Sequence, residues 1–111
     1  MEIEATSADR NLLLEMKGEL DHHGARNALR ELELSIDAAL PKKLVLDLAG
    51  VTFMDSSGIG ILLNRYKQMK AGHTSFYGAC PQVMRVLKVA GILGLMHQYE
   101  SKEEAIYSRE V

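Results

Sequence analysis

Tryptophan is absent from this chain, and with only 2 Phe and 4 Tyr the aromatic share is 5%. So little ring surface provides no platform on which successive bases could stack. An excess of positive charge is missing too: 13 Lys and Arg face 15 Asp and Glu, a formal net charge of -2. A backbone of phosphates would therefore meet no basic footprint, and nucleic acid is not expected as a direct partner. Cys80 is the single cysteine, so no internal disulfide can form and no second thiol is available for a zinc site. Met1-Glu2-Ile3-Glu4 lacks the basic region and apolar run of a secretory signal. No apolar stretch approaches the roughly 18 residues that span a bilayer. The expectation is a cytoplasmic chain with no membrane partner, in a compartment that keeps its thiol reduced.

What remains is ordinary globular material. Hydrophobic residues make up 47% and charged residues 25% of 111 residues, enough for one compact domain over 1–111 and too little chain for a second. No repeat, low-complexity tract or linker interrupts it.

Hydrophobic spacing predicts the elements in order. Ile3 to Thr6 reads as an edge strand and Ser7 to Asn11 as a turn. Leu12, Leu14 and Met16 then alternate with Leu13, Glu15 and Lys17, the period of a strand paired in a hairpin with the first. Gly18 to Gly24 reads as a polar loop. Ala25, Ala28, Leu29, Leu32, Ile36, Ala39 and Leu40 recur at helical spacing until Pro41 stops the helix. Leu44 to Leu48 is a nearly continuous apolar run, as in a buried central strand, broken by Ala49-Gly50. Beyond Val51 to Met54 and Asp55-Ser56-Ser57-Gly58, a second helix presents Ile59, Leu62, Leu63, Tyr66 and Met69 on one face, with Ile61 alongside. Arg65, Lys67, Gln68 and Lys70 face water, and Ala71-Gly72 closes it. Thr74 to Ala79 reads as a strand. Pro81 opens a third helix with the stripe Val83, Val86, Leu87 and Ala90. A turn between Gly91 and Gly94, a strand over Leu95 to Tyr99 and a helix opened by Ser101-Lys102-Glu103-Glu104 complete the chain. This alternation implies an α/β fold: a mixed sheet with parallel central strands and helices packed mainly on one face.

The serine pair is the strongest chemical signal. Asp55, Ser56 or Ser57 at a strand-to-helix junction can serve as a simple cap, worth about 0.5–2 kcal/mol. The same placement can also expose a hydroxyl where helical N–H groups and the dipole favour an anion, so that a phosphoryl group is well tolerated. A serine nucleophile is a poorer reading: the Gly-x-Ser-x-Gly elbow is absent, and an oriented histidine base is required. Asp21, His22 and His23 do not make a metal site at that spacing; they read as a solvated loop that positions the next helix, or as a loop for docking a partner. A small-ligand or nucleotide module that uses Asp55-Ser56 as an anion site is the remaining alternative.

Gly18-Glu19-Leu20-Asp21-His22-His23, Phe53-Met54-Asp55-Ser56-Ser57-Gly58 and Arg65-Tyr66-Lys67-Gln68 together resemble the anti-sigma-factor antagonists of the STAS-domain family, over nearly the whole chain. The paired histidine is most similar to the sporulation branch, acting on the sigma-F system. The resemblance implies phosphorylation on the first serine, here Ser56, by an anti-sigma factor with serine-kinase activity. It implies that the unphosphorylated form binds that factor and frees the sigma factor, and that a serine phosphatase resets the switch. Asp21, His22, Asp55, Ser56, Ser57 and Gly58 are the partner-binding residues it implies. No catalytic residue, metal or cofactor of the chain's own is expected, ATP and ADP belonging to the partner kinase, and the free protein is expected to be a monomer. An antagonist of a general-stress sigma factor, or a STAS signalling module from a larger relay, is the rival within the family. Cys80 departs from the Ser or Asn often found before that proline, which leaves the third helix with a poor cap.

Overall fold

The structure, a computed structural model, describes residues 1–69 and 73–107, without the side chains of Ala8, Asn27 and Leu29. Lys70, Ala71 and Gly72 lie outside the described residues, so the expected helix end there, like the inward face assigned to Leu29, falls outside what is described.

β1 (Glu2–Ala8) and β2 (Asn11–Leu20) form an antiparallel hairpin. Asp9 and Arg10 both take positive φ, 50° and 66°, the handedness that a two-residue hairpin turn needs to match the strand twist. β2 continues without a loop through Gly18, Glu19 and Leu20, which corrects the expectation of a loop from Gly18 to Gly24. Only Asp21 separates it from α1 (His22–Ala39). α1 buries Ala25, Ala28, Leu32 and Ile36 and ends at Leu40, whose N–H donates to the Ile36 carbonyl at 2.9 Å. Leu40 itself is 77% exposed, in left-handed backbone just before Pro41, and not on the buried stripe expected for it.

β3 (Lys43–Met54) runs straight through Ala49-Gly50, where a break was expected. The reason is its pairing. Parallel to β2, it carries an additional residue between Asp47 and Gly50 and another between Val51 and Phe53. Gly50 packs where a Cβ would meet Lys17 Cγ at 2.5 Å and the Met16 carbonyl oxygen at 3.0 Å, so the glycine permits the close approach of the bulged strands. Each bulge resets the alternation, and Leu48, Val51 and Met54 reach the same core at spacings of three instead of two.

α2 (Ser56–Gln68), β4 (Thr74–Tyr77), α3 (Pro81–Val89), a 3₁₀ turn at Ile92–Gly94, β5 (His97–Tyr99) and α4 (Lys102–Tyr107) follow. The sheet order is β1-β2-β3-β4-β5, parallel from β2 onward. The fold is a single α/β domain with a five-stranded mixed sheet. Leu12, Leu14, Met16, Leu44, Leu46 and Phe76 bury one face under α1, α2 and α3. Leu13, Val45, Tyr77 and Tyr99 point to the other, where Ala105 of α4 covers them. A second, smaller helical layer thus lies behind the sheet, opposite the face on which most of the helices were expected.

α2 is rotated from its expected face. Gly58, Ile61, Leu62 and Arg65 are buried, while Ile59, Leu63, Tyr66 and Met69 are half-buried. Arg65 was expected in water. It is 2% exposed instead, one turn beyond Ile61 and Leu62, and its guanidinium lies 3.5 Å from Glu33 of α1. Burial pushes its pKa down and Glu33 opposes that shift. The buried stripe of α3 is Val83 and Leu87; Val86 is half-buried and Ala90 is exposed.

Cys80 is the cap position of α3 and makes no side-chain capping bond; its thiol lies 3.9 Å from the Val51 carbonyl. Its backbone is already extended, φ -67° and ψ 163°, as a capping residue requires. Cys80→Ser is therefore expected to stabilise the protein by about 0.5–1 kcal/mol, read as a rise in the thermal midpoint of a few degrees. An unchanged or lowered midpoint would mean that the thiol's packing outweighs the missing cap.

Candidate partner-docking site

The site is one corner built twice. β2 and β3 are parallel neighbours in which Leu20 pairs with Met54, so both strands end at the same edge of the sheet. Each is followed at once by an aspartate, two polar residues and a glycine: Asp21-His22-His23-Gly24 and Asp55-Ser56-Ser57-Gly58. The aspartates cap the two helices. Asp21 Oδ1 accepts the Gly24 N–H at 2.9 Å, and Asp55 Oδ1 accepts the Ser57 and Gly58 N–H groups at 2.9 and 3.3 Å. The backbone carbonyls of the same aspartates accept the first intrahelical bonds, from Ala25 at 2.8 Å and Ile59 at 3.1 Å.

Both glycines are there because the backbone leaves no room for a side chain. A Cβ on Gly24 would collide with the Glu19 carbonyl oxygen. One on Gly58 would meet the Leu20 carbonyl oxygen at 2.5 Å and Met54 Cγ at 2.8 Å. Leu20 also accepts the Asp55 N–H at 3.4 Å, so the end of β2 supports the start of α2.

The six residues expected at the site thus come to one edge. Ser56 is the first residue of α2 and exposed, Ser57 is half-buried, and Gly58 is buried. His22 and His23 are exposed in the first turn of α1, one element further into the helix than the loop expected for them. Among the described residues, no three His, Cys, Asp or Glu side chains gather as a metal set.

The Gly24 N–H bond, with His23 assisting, holds the Asp21 carboxyl below its ordinary value of 3.8 against a smaller opposing effect of desolvation. A carboxyl depressed in the folded state supports its helix above the ordinary value and loses that support as pH falls through the folded one. The Gly24 amide is therefore expected to titrate with a midpoint below 3.8 by NMR. Asp21→Asn should abolish that titration and keep the cap, because asparagine caps equally well; a midpoint above the ordinary value would contradict the assignment.

Sequence reasoning missed a groove beside Ser56. Ile59 of α2, Arg85, Val86 and Val89 of α3 and Ala90 at its end line it with Ser56 as an open depression of about 450 Å³. Val86 and Ala90 had been assigned to the core. The legible signal was Val89, an apolar side chain off the buried stripe of its helix and 86% exposed.

A family model described as STAS domain matches residues 2–105. The chain belongs to the STAS-domain family. Within it, the sequence falls among the anti-sigma-factor antagonists. A Paenibacillus polymyxa protein named as an anti-sigma F factor antagonist is 33% identical over 102 residues, 90% of this chain and 87% of its own length. A Staphylococcus aureus protein named as an anti-sigma-B factor antagonist is 26% identical over 105 residues, 93% of this chain and 96% of its own. The solved structure of the anti-sigma factor antagonist SpoIIAA in its unphosphorylated form superposes with a TM-score of 0.79 at 27% identity, covering 95% of this STAS chain and 93% of that one. No helix among the described residues is long and apolar enough to cross a membrane.

Proposed function

We propose that this STAS protein is a cytoplasmic anti-sigma-factor antagonist whose docking edge is switched by phosphorylation of Ser56. The observation that carries the reading is the exposed Ser56 at the head of α2, with Asp55 already serving as the cap. Because the cap is Asp55, the Ser56 hydroxyl is not required to hold the helix, and it can be modified without unwinding it.

The partner is an anti-sigma factor that is also a serine kinase. In the bound state the Ser56 oxygen attacks the γ-phosphorus of the partner's ATP. The new O–P bond forms as the bond to the β-phosphate oxygen breaks; ADP leaves on the partner and the hydroxyl proton passes to a base there. Hydrolysis by a serine phosphatase returns the hydroxyl and inorganic phosphate. Asp21, His22, Asp55 and Ser57 form the rest of the contact edge; Gly58, expected there too, is buried against Leu20 and Met54 and supports the edge from beneath. The chain itself is no enzyme and carries no cofactor. α1, α2 and α3 all cover one face of the sheet, so adjacent crossovers never diverge to opposite faces, which is how open α/β sheets make a ligand crevice. The free protein acts as a monomer.

Sporulation sigma-F control is favoured over general-stress control because the identity to the sigma-F antagonist, 33%, exceeds that to the sigma-B antagonist, 26%. The two readings separate in one experiment. The protein is incubated with ATP and either an anti-sigma F or an anti-sigma B factor, and the Ser56 peptide is weighed by mass spectrometry. Phosphate on Ser56 with the first factor is the expected result. Phosphate with the second alone would move the protein to the stress pathway, and phosphate on Ser57 would move the site.

A further inference from the structure

The groove beside Ser56 has apolar walls, Ile59, Val86, Val89 and Ala90, and a single cation among its described lining residues, Arg85. Arg85 is exposed on α3, adjacent in sequence to Val86 and one turn before Val89. Its aliphatic stem can lie along those valines while the guanidinium stays in water. The acids near the modified residue, Asp55 as the cap of the same helix and Asp21 as the cap of its neighbour, would repel a phosphate. Lys88 belongs to the same helix as Arg85 but does not line the groove, and Arg65 is buried beside Glu33.

We propose that Arg85 is the residue that reads the phosphate on Ser56. This rests on Ser56 being the modified residue. With the hydroxyl free, the groove stays open and its apolar walls are available to the partner. With the phosphate present, the planar guanidinium bonds two of its oxygens, a pairing that a phosphate accepts in fork geometry. The paired groups then lie across the groove mouth and place a hydrated ion pair where an apolar side chain would have docked. Phosphorylation in this scheme removes a surface as well as adding repulsion.

The test uses the full chain with phosphoserine placed at position 56 during translation, so that neither kinase nor partner is needed. A neighbouring cation favours the dianion and lowers the second phosphate pKa. In a ³¹P NMR titration, the wild-type midpoint is expected to lie about half a pH unit below that of Arg85→Gln. Arg85→Lys should recover part of the difference, since lysine supplies the charge without the fork. The Arg85 Nε–H resonance should shift on phosphorylation and not otherwise. Coincident titrations of wild type and Arg85→Gln, or an Nε–H resonance indifferent to the phosphate, would overturn the proposal. Either result would leave the Ser56 switch standing on repulsion alone. Conversely, a failure to bind any anti-sigma factor would leave this titration unchanged, so the two ideas fail separately.

Discussion

Gly58→Ala is expected to destabilise the protein by about 3 kcal/mol, lowering the thermal midpoint by roughly 12–20 °C. Two alternatives for absorbing the new methyl are both poor. Met54 Cγ, 2.8 Å from the Cβ position, belongs to a flexible side chain but is 3% exposed inside the core. The Leu20 carbonyl oxygen, at 2.5 Å, is backbone at the end of β2, where Leu20 is paired with Met54 of β3. The helix must therefore move, which breaks the 3.4 Å bond from Asp55 to Leu20 and the cap that Asp55 makes. Gly60→Ala supplies the comparison two residues later. A Cβ there meets nothing within 4 Å, so only the helix propensity changes, and a gain of about 0.5–1 kcal/mol is expected. Thermal unfolding of the pair decides the matter: equal shifts of the same sign would mean that the approach of β2 to α2 is not what excludes the side chain.

Phosphorylation of Ser56 is expected to weaken anti-sigma binding at least a hundredfold, and Ser56→Ala to bind within twofold of wild type. A phosphoserine brings about -1.5 to -2 charges at neutral pH. Exposed in the free protein, that charge is hydrated, and the first turn of α2 favours it. In a closed interface the water is lost, and an acidic partner group about 4 Å away repels each unit of charge by about 4 kcal/mol at an effective dielectric near 20. A hundredfold loss requires only about 2.7 kcal/mol. No refolding is needed, and Ser56→Asp, with half the charge, should fall between the two forms. Isothermal titration against the anti-sigma factor measures the affinities, while amide chemical shifts report the backbone. Equal affinity of both forms would remove the switch, and shifts spread through the sheet would replace direct blockade with a conformational mechanism.

The order of elements was legible because it depends on periods that survive noise. The alternation in Leu12 to Lys17 buries Leu12, Leu14 and Met16 as expected, and the helical recurrence buries Ala25, Ala28, Leu32 and Ile36. β3 past Leu48 was not legible, because its bulges replace a period of two with spacings of three, and Ala49-Gly50 has the composition of a break. The strand shows itself only through its partner. Arg65 misled for another reason: charge type outweighed position, although it continues the spacing of Ile61 and Leu62 and has Glu33 waiting on α1. At the site, Asp55 and Ser56 could be read as cap and exposed hydroxyl, but which was which could not, since either residue type caps. The groove was legible only as far as Val89, an apolar residue off the stripe of its helix, because no local pattern encodes how α2 and α3 lie against each other.

Leu20 holds a further consequence. Its carbonyl oxygen takes the Asp55 N–H and abuts Gly58, while the next residue, Asp21, begins the neighbouring helix. Histidine and serine corners are therefore tied to one residue, so a displacement of Leu20 moves both. For the docking proposed above, a contact spanning both corners meets two helix starts that lie one residue and one hydrogen bond away from the same Leu20.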